Sequence, residues 1–335
     1  FAEDQSGTCP DGGSLANETI GKGRLMDRVI FTFPGQGAQV PGMLHALAGQ
    51  IPCDGWYAKA SDALGEDVLA LDTPEALKTT RAVQLCILIA GVASADWLAK
   101  QGAKPDFVSG LSIGAFPAAV VSGALDFEDA VRLVSLRGDL MQSAWPEGYG
   151  LSAISGVTET PLVKLVDSVN APDMPVYMAN FNASDQFVIA GSETAMQKVM
   201  QLAREQYSAR AERLKVAVPS HCPLLDGPAA VFEEAVNAVP MKRPKTAYLS
   251  GSTGRVLWQP ERIADDIANN MARPVRWFNA MTAAYERGAR LAVEMPPGSV
   301  LTGLFSRVME QGEAVAVQQQ GIESVLQLIL RLKRR

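Results

Sequence analysis

Strand-length and helix-length apolar runs alternate from Val29 onward, and this alternation constrains the fold more than any other feature. A run at 28–33 leads into the Gly-rich turn Pro34-Gly35-Gln36-Gly37-Ala38-Gln39. The longest helical segment follows, from about Pro74 to Lys100, apolar in its middle. A short strand, Asp106 to Ser109, then meets Gly110-Leu111-Ser112-Ile113-Gly114 and a small-residue helix through Ala119 and Val120. The next helix spans about Phe127 to Gln142, with Asp126 as N-cap and Glu128 and Asp129 in its first turn, where the helix dipole favours acids. Such alternation predicts a largely parallel sheet flanked by helices.

Between Gly150 and Val218 the rhythm changes. Strand Leu151–Val157, helix Glu159–Val169, strands Val176–Phe181 and Gln186–Ala190, helix Glu193–Gln206 and strand Arg213–Val218 give a βαββαβ order. That is the ferredoxin-like arrangement, which buries one face of its own sheet. Alternation then resumes, with candidate strands at Ala247–Ser250, Arg290–Glu294 and Ala314–Val317. The expected fold class is α/β: a large α/β-hydrolase-like lobe with a parallel sheet, interrupted by a small ferredoxin-like lobe. The large lobe takes residues 26–148 and 219–335, the inserted lobe 149–218, and the aperiodic stretch 1–25 reads as an extension outside the fold. A cleft between lobes is the natural ligand site.

Composition narrows the function. Thirty basic against 36 acidic side chains give a net charge of −6, without the basic excess of a nucleic-acid-binding chain. The longest uninterrupted apolar stretch, Leu85 to Ala95, is shorter than the roughly 20 residues that span a bilayer. Cys9, Cys53, Cys86 and Cys222 are far apart with no CxxC pair, which suits a reducing, cytoplasmic setting. The two histidines, His45 and His221, stand outside any HExxH frame, so no metal site is expected.

The chemistry concentrates at Gly110–Gly114. A GxSxG sequence between a strand and a helix permits a tight turn that presents the serine hydroxyl at a helix N-terminus. At average Gly and Ser usage, chance places on the order of 0.1 such patterns in a chain of this length. Ser112 needs a base. His45 lies in an apolar helical setting and reads as a packing histidine. His221, in Val218-Pro219-Ser220-His221-Cys222-Pro223, stands at a predicted strand end near the lobe junction and is the favoured general base. Cys222, its neighbour, faces the other way on an extended segment and is a poor rival nucleophile.

Arg137 falls on the apolar stripe Ala130, Leu133, Val134, Leu140 and Met141 of its helix, whereas Arg132 falls off it. An inward guanidinium must be paired. Either an internal acid such as Glu294 holds it, or it forms a bidentate fork for a substrate carboxylate. The turn at Pro34–Gly37 is not a dinucleotide fingerprint, since Val40 occupies the third glycine position. It is better placed to donate a backbone amide to an oxyanion beside Ser112.

These residues resemble the malonyl-CoA:acyl carrier protein transacylase family from Val29 to about Leu330. The matching motifs are Phe33–Gln39, Gly110–Gly114, Leu136-Arg137-Gly138, Asn180-Phe181-Asn182 leading to Val188–Gly191, Val218–Cys222 and Arg273-Pro274-Val275-Arg276-Trp277. The resemblance implies Ser112 as the acylated nucleophile, His221 as its base and Arg137 as the fork for the malonyl carboxylate. It further implies the amides of Gln36 and Ile113 as the oxyanion hole. Asn270 stands where the family usually has a glutamine whose backbone carbonyl orients the histidine. The implied reaction is ping-pong: malonyl passes from malonyl-CoA to Ser112, then to the phosphopantetheine-type thiol of an acyl carrier protein, with no permanently bound cofactor. Leu111 before the nucleophile, Ala115 after the second glycine and Met295-Pro296-Pro297-Gly298 depart from the usual pattern. Leu111 and the Met-Pro-Pro-Gly turn resemble the malonate decarboxylase epsilon-subunit branch, which serves a decarboxylase carrier subunit. A transacylase of fatty acid or polyketide synthesis is the alternative, and a serine hydrolase or thioesterase a more distant one. Lys215, Arg273 and Arg276 are basic residues that could meet an acidic carrier.

Overall fold

A computed structural model describes residues 27–144 and 147–334. The stretch expected to form an extension, 1–25, lies outside the described residues, as does Cys9. Ten strands are found among those described. They are β1 (Arg28–Phe33), β2 (Phe107–Gly110), β3 (Tyr149–Ser155), β4 (Val176–Ala183), β5 (Gln186–Ser192), β6 (Arg210–Arg213), β7 (Ala247–Leu249), β8 (Val256–Leu257), β9 (Ala289–Glu294) and β10 (Glu313–Ala316).

They form two sheets. The larger has the order β10-β9-β1-β2-β7-β8 and is parallel except for β8, which runs antiparallel to β7. Its inner strands are apolar on both faces, as a sheet covered by helices on both sides requires: Val29, Ile30, Phe31 and Phe33 of β1 are all fully buried. The smaller sheet is wholly antiparallel, in the order β4-β5-β3-β6, with helices Glu159–Val169 and Glu193–Tyr207 packed on it. This is the expected βαββαβ unit. The smaller sheet is tied to the loop before helix Trp277–Glu286, where Val275 exchanges backbone hydrogen bonds of 2.8 Å with Ala179 and Phe181 of β4.

Two predicted boundaries are corrected. The segment Pro74–Lys100 is not one helix: a short 3-10 turn, Ala76–Lys78, precedes the helix Thr80–Lys100. Thr79 ends the turn in an extended conformation and its hydroxyl accepts from the Ala82 amide, so the chain restarts there as a capped helix. The last strand of the inserted unit is Arg210–Arg213, not Arg213–Val218. Beyond its pairing with Ser152–Ser155 the chain leaves the sheet edge, and the Arg213 guanidinium takes the carbonyls of Leu151 and Val216 in place of a ladder. His221 therefore sits in a loop and not at a strand end.

The helix Thr80–Lys100 is long and apolar enough to cross a membrane, but 83% of its apolar 18-residue stretch is buried inside the protein. It packs against the helix Phe127–Ala144 and is the central helix of the larger core. The uninterrupted run from Leu85 to Ala95 understated its length because Gln84 and Thr80 belong to the same helix.

Candidate active site

The turn after β2 is fixed by the close approach of three backbones. Phe33 of β1 pairs with Gly110 of β2, and the Leu111 amide donates to the Phe33 carbonyl at 3.0 Å. A Cβ on Gly110 would fall 1.9 Å from the Gly114 carbonyl, and one on Gly114 would fall 2.1 Å from the Phe33 oxygen. Only hydrogen fits at either position. Between them Ser112 holds φ 57°, in the left-handed region that a serine rarely adopts, and opens the 3-10 turn Ser112–Gly114 that runs into helix Ala115–Ser122. The tight strand-to-helix turn expected from the motif is therefore present.

His221 also has a left-handed backbone, φ 65°, and is held from two sides. Its amide donates to the Met271 carbonyl at 2.6 Å, and its Nδ1 lies 2.7 Å from the Asn270 carbonyl oxygen. A carbonyl only accepts, so Nδ1 carries the ring proton and Nε2 keeps its lone pair. That Nε2 stands 2.9 Å from Ser112 Oγ, in position to accept the hydroxyl proton. Burial, reinforced by the charge of Arg137, holds the imidazole pKa down to about 4. The ring is neutral at physiological pH.

Arg137, on helix Phe127–Ala144, is wholly buried. It is not locked to Glu294. Its Nη1 donates to Gln84 Oε1 at 2.8 Å and its Nη2 to Asn270 Oδ1 at 3.0 Å, with Ser112 Oγ 3.4 Å from Nη2. All three partners are neutral, and burial alone pushes the guanidinium pKa down to about 9. Its Nε is buried without a partner. Glu294 instead accepts from the amide and hydroxyl of Thr302, each at 2.7 Å, and burial raises its pKa.

Gln84 was not anticipated. It is fully buried in the apolar helix Thr80–Lys100, and its Nε2 donates to Gln36 Oε1 at 3.1 Å. One side chain thus joins Arg137 to the turn after β1. The signal was a lone carboxamide inside an otherwise apolar helical run, which burial makes costly unless it is fully bonded. The side chain of Asn270 was likewise unanticipated, since only its carbonyl was assigned a role.

Ser112, His221 and Gln36 line one cavity of about 280 Å³. It lies beyond the carboxyl ends of β1, β2 and β9, where ligands bind in open α/β sheets. Leu151, Asn180, Asn182 and Val188 of the smaller sheet form the facing wall. The Ile113 side chain is buried beneath the elbow. His45 takes no part. Its side chain is 59% exposed and its Nδ1 pairs with the buried Asp72 at 2.9 Å, so it is a surface residue and not the packing histidine its apolar neighbours suggested. Cys222 donates to the Pro219 carbonyl at 3.2 Å, and burial pushes its thiol pKa up to about 12, far from a reactive thiolate. No group of three His, Cys, Asp or Glu among the described residues could hold a metal ion.

The acyl transferase domain family matches residues 30–327. The chain belongs to that family. Among curated relatives, this acyltransferase is 34% identical to the malonyl CoA-acyl carrier protein transacylase of Haemophilus influenzae, over 87% of the chain and 96% of the relative. It is 34% identical to the enzyme of that name from Escherichia coli strain K12, over 88% and 97%. Among solved structures, FabD from Acinetobacter baumannii superposes with a TM-score of 0.87 at 35% identity, covering 91% of the acyltransferase and 99% of FabD. A malonyl-transacylase solved in complex with its type II PKS acyl-carrier protein gives a TM-score of 0.84 at 33% identity, covering 92% and 100%. The mixed α/β fold, with a parallel-rich sheet and a separate antiparallel one, is shared with these structures.

Proposed function

We propose that this acyltransferase moves a malonyl group from malonyl-CoA to the phosphopantetheine thiol of an acyl carrier protein through an acyl-serine. The observation that carries the reading is the neutral imidazole of His221, with Nε2 2.9 Å from Ser112 Oγ and Nδ1 held by the Asn270 carbonyl. His221 takes the hydroxyl proton as Oγ attacks the thioester carbonyl, then returns it to the departing CoA sulfur. The incoming carrier thiol repeats the exchange in reverse. The amides of Gln36 and Ile113 are assigned to the oxyanion. Arg137 receives the free carboxylate: it is a buried cation whose partners are all neutral, with one donor still unpaired.

A transacylase for a carrier of fatty acid or polyketide synthesis is favoured over a malonate decarboxylase subunit. Its support is the naming of the matched relatives, whereas the decarboxylase branch rests on Leu111 and the Met295–Gly298 turn alone. Of the basic residues suited to an acidic carrier, Arg273 already pairs with Asp265 and Arg276 with Glu159. Lys215 lies on a cleft beside the catalytic cavity.

Intact-mass measurement after exposure to malonyl-CoA tests the reaction. A malonyl adduct on Ser112 that moves to the thiol of added holo carrier protein is expected. Release of free malonate without transfer would instead mark a serine hydrolase.

A further inference from the structure

Asn270 touches all three parts of the proposed machinery, and it does so through two separable groups. Its backbone carbonyl accepts from His221 Nδ1, whereas its side chain spans from Arg137 Nη2 at 3.0 Å to the Ser112 carbonyl oxygen at 3.1 Å. The orientation of that carboxamide is dictated by its neighbours. A guanidinium can only donate and a carbonyl can only accept, so Oδ1 must face Arg137 and Nδ2 must face Ser112. The residue is buried, 3% exposed, at the end of helix Pro260–Asn269.

We infer that the Asn270 side chain is a positioning residue that sets acyl-group selectivity, by tying the Arg137 fork to the backbone of the nucleophile elbow. The inference rests on the proposed roles of Arg137 and Ser112. Without the carboxamide, the nearest acceptor for Nη2 is Ser112 Oγ, already 3.4 Å away. A guanidinium drawn toward that oxygen moves off the position that meets a malonyl carboxylate and competes with His221 for the hydroxyl. The choice of a neutral amide also matters. A carboxylate at 270 would neutralise the fork from within the protein and leave no charge to select a dicarboxylic acyl group. Because the His221 contact is made by the main chain, side-chain variants at 270 keep the partner of the base.

The test is the ratio of kcat/KM for malonyl-CoA to that for acetyl-CoA, measured on the full chain with holo carrier protein. Asn270→Ala is expected to lower the ratio about tenfold or more, the usual scale for losing a hydrogen bond to a charged group. Asn270→Asp, which is isosteric and keeps the buried volume filled, is expected to lower it further. Asn270→Gln, which retains both an acceptor and a donor, is expected to restore it to within about threefold. A general structural defect would lower both substrates together and leave the ratio alone. Arg137→Ala, run alongside, separates the two readings. If it leaves the ratio unchanged, the fork assignment itself fails. If it collapses the ratio while Asn270→Ala and Asn270→Asp do not, the inference about Asn270 is overturned and the fork survives. An Asn270→Gln enzyme as unselective as Asn270→Ala also overturns it.

Discussion

Ser112 and His221 lie 109 residues apart in the chain, yet their side chains meet at 2.9 Å, and each holds a left-handed backbone to do so. Non-glycine residues in this region cost of order 1–3 kcal/mol each, and both are over-determined by surrounding bonds. The elbow is fixed by glycine contacts with Phe33, the His221 ring by the Asn270 carbonyl and the His221 amide by the Met271 carbonyl. Ser112→Ala should remove the acyl adduct completely. His221→Ala should slow its formation about 10²–10⁴-fold, the range for losing a general base, as read by single-turnover acylation. A loss under about tenfold for His221→Ala would remove the histidine from the chemistry.

The depressed pKa of His221 sets a pH dependence with a definite sign. The neutral imidazole is the working base, so acylation should stay flat from neutral pH down to about 5 and fall as pH drops through about 4. Replacing Arg137 with Met removes one cause of the depression and should move this acidic limb upward. An acidic limb near the ordinary histidine value of about 6.5 in the unaltered protein would contradict the buried, cation-flanked ring.

Arg137 titrates at the other end of the range. With its pKa held near 9 by burial, loss of the guanidinium proton should erode malonyl transfer above that pH while sparing acetyl transfer. Parallel pH profiles with the two thioesters read the difference directly. Coincident alkaline limbs would show that the fork does not select the acyl group.

Gly114→Ala should cost more stability than an ordinary surface change. Its Cβ would lie 2.1 Å from the Phe33 oxygen, and neither backbone can yield without disturbing β1 and β2. Overpacking of this kind costs about 1–3 kcal/mol or more, visible as a lowered Tm of purified protein. A Tm within about 1 °C of the parent would mean that the turn relaxes freely.

Gln84→Leu keeps the volume of a core residue but leaves Arg137 Nη1 without its acceptor. About 1.5–3 kcal/mol of stability should be lost in denaturant unfolding, the scale for a hydrogen bond to a buried charge. An unchanged unfolding midpoint would show that the guanidinium has found another partner.

Much of this organisation was legible from residue order. Alternation predicted the parallel sheet, the changed rhythm after Gly150 the antiparallel one, and the GxSxG context the elbow. Those signals are local, and local propensity carries them. Strand β6 was misplaced because Leu214, Val216 and Val218 alternate like a strand, while their chain actually wraps the Arg213 side chain. The contacts of Gln84 and the Asn270 side chain were invisible for a different reason. Gln84 and Asn270 lie 53 and 133 residues from Arg137, and no periodicity records a partner at such a distance. His45 shows the converse error: its apolar neighbours Met43, Leu44 and Leu47 are buried as their pattern suggested, but the His45 side chain lies on the outer face of that short helix, its ring nitrogen paired with the buried Asp72.

The cavity draws its two walls from different sheets, and this separates reactivity from fit. The Ser112 elbow follows β2 of the larger sheet and His221 stands in the loop after β6, whereas Leu151, Asn180, Asn182 and Val188 belong to strands of the smaller sheet. None of these four side chains hydrogen-bonds to Ser112 or His221, although Leu151 and Val188 pack with Cys222 beside the histidine. Such a division lets a lineage retune which thioesters it admits while the proton-moving parts stay as they are.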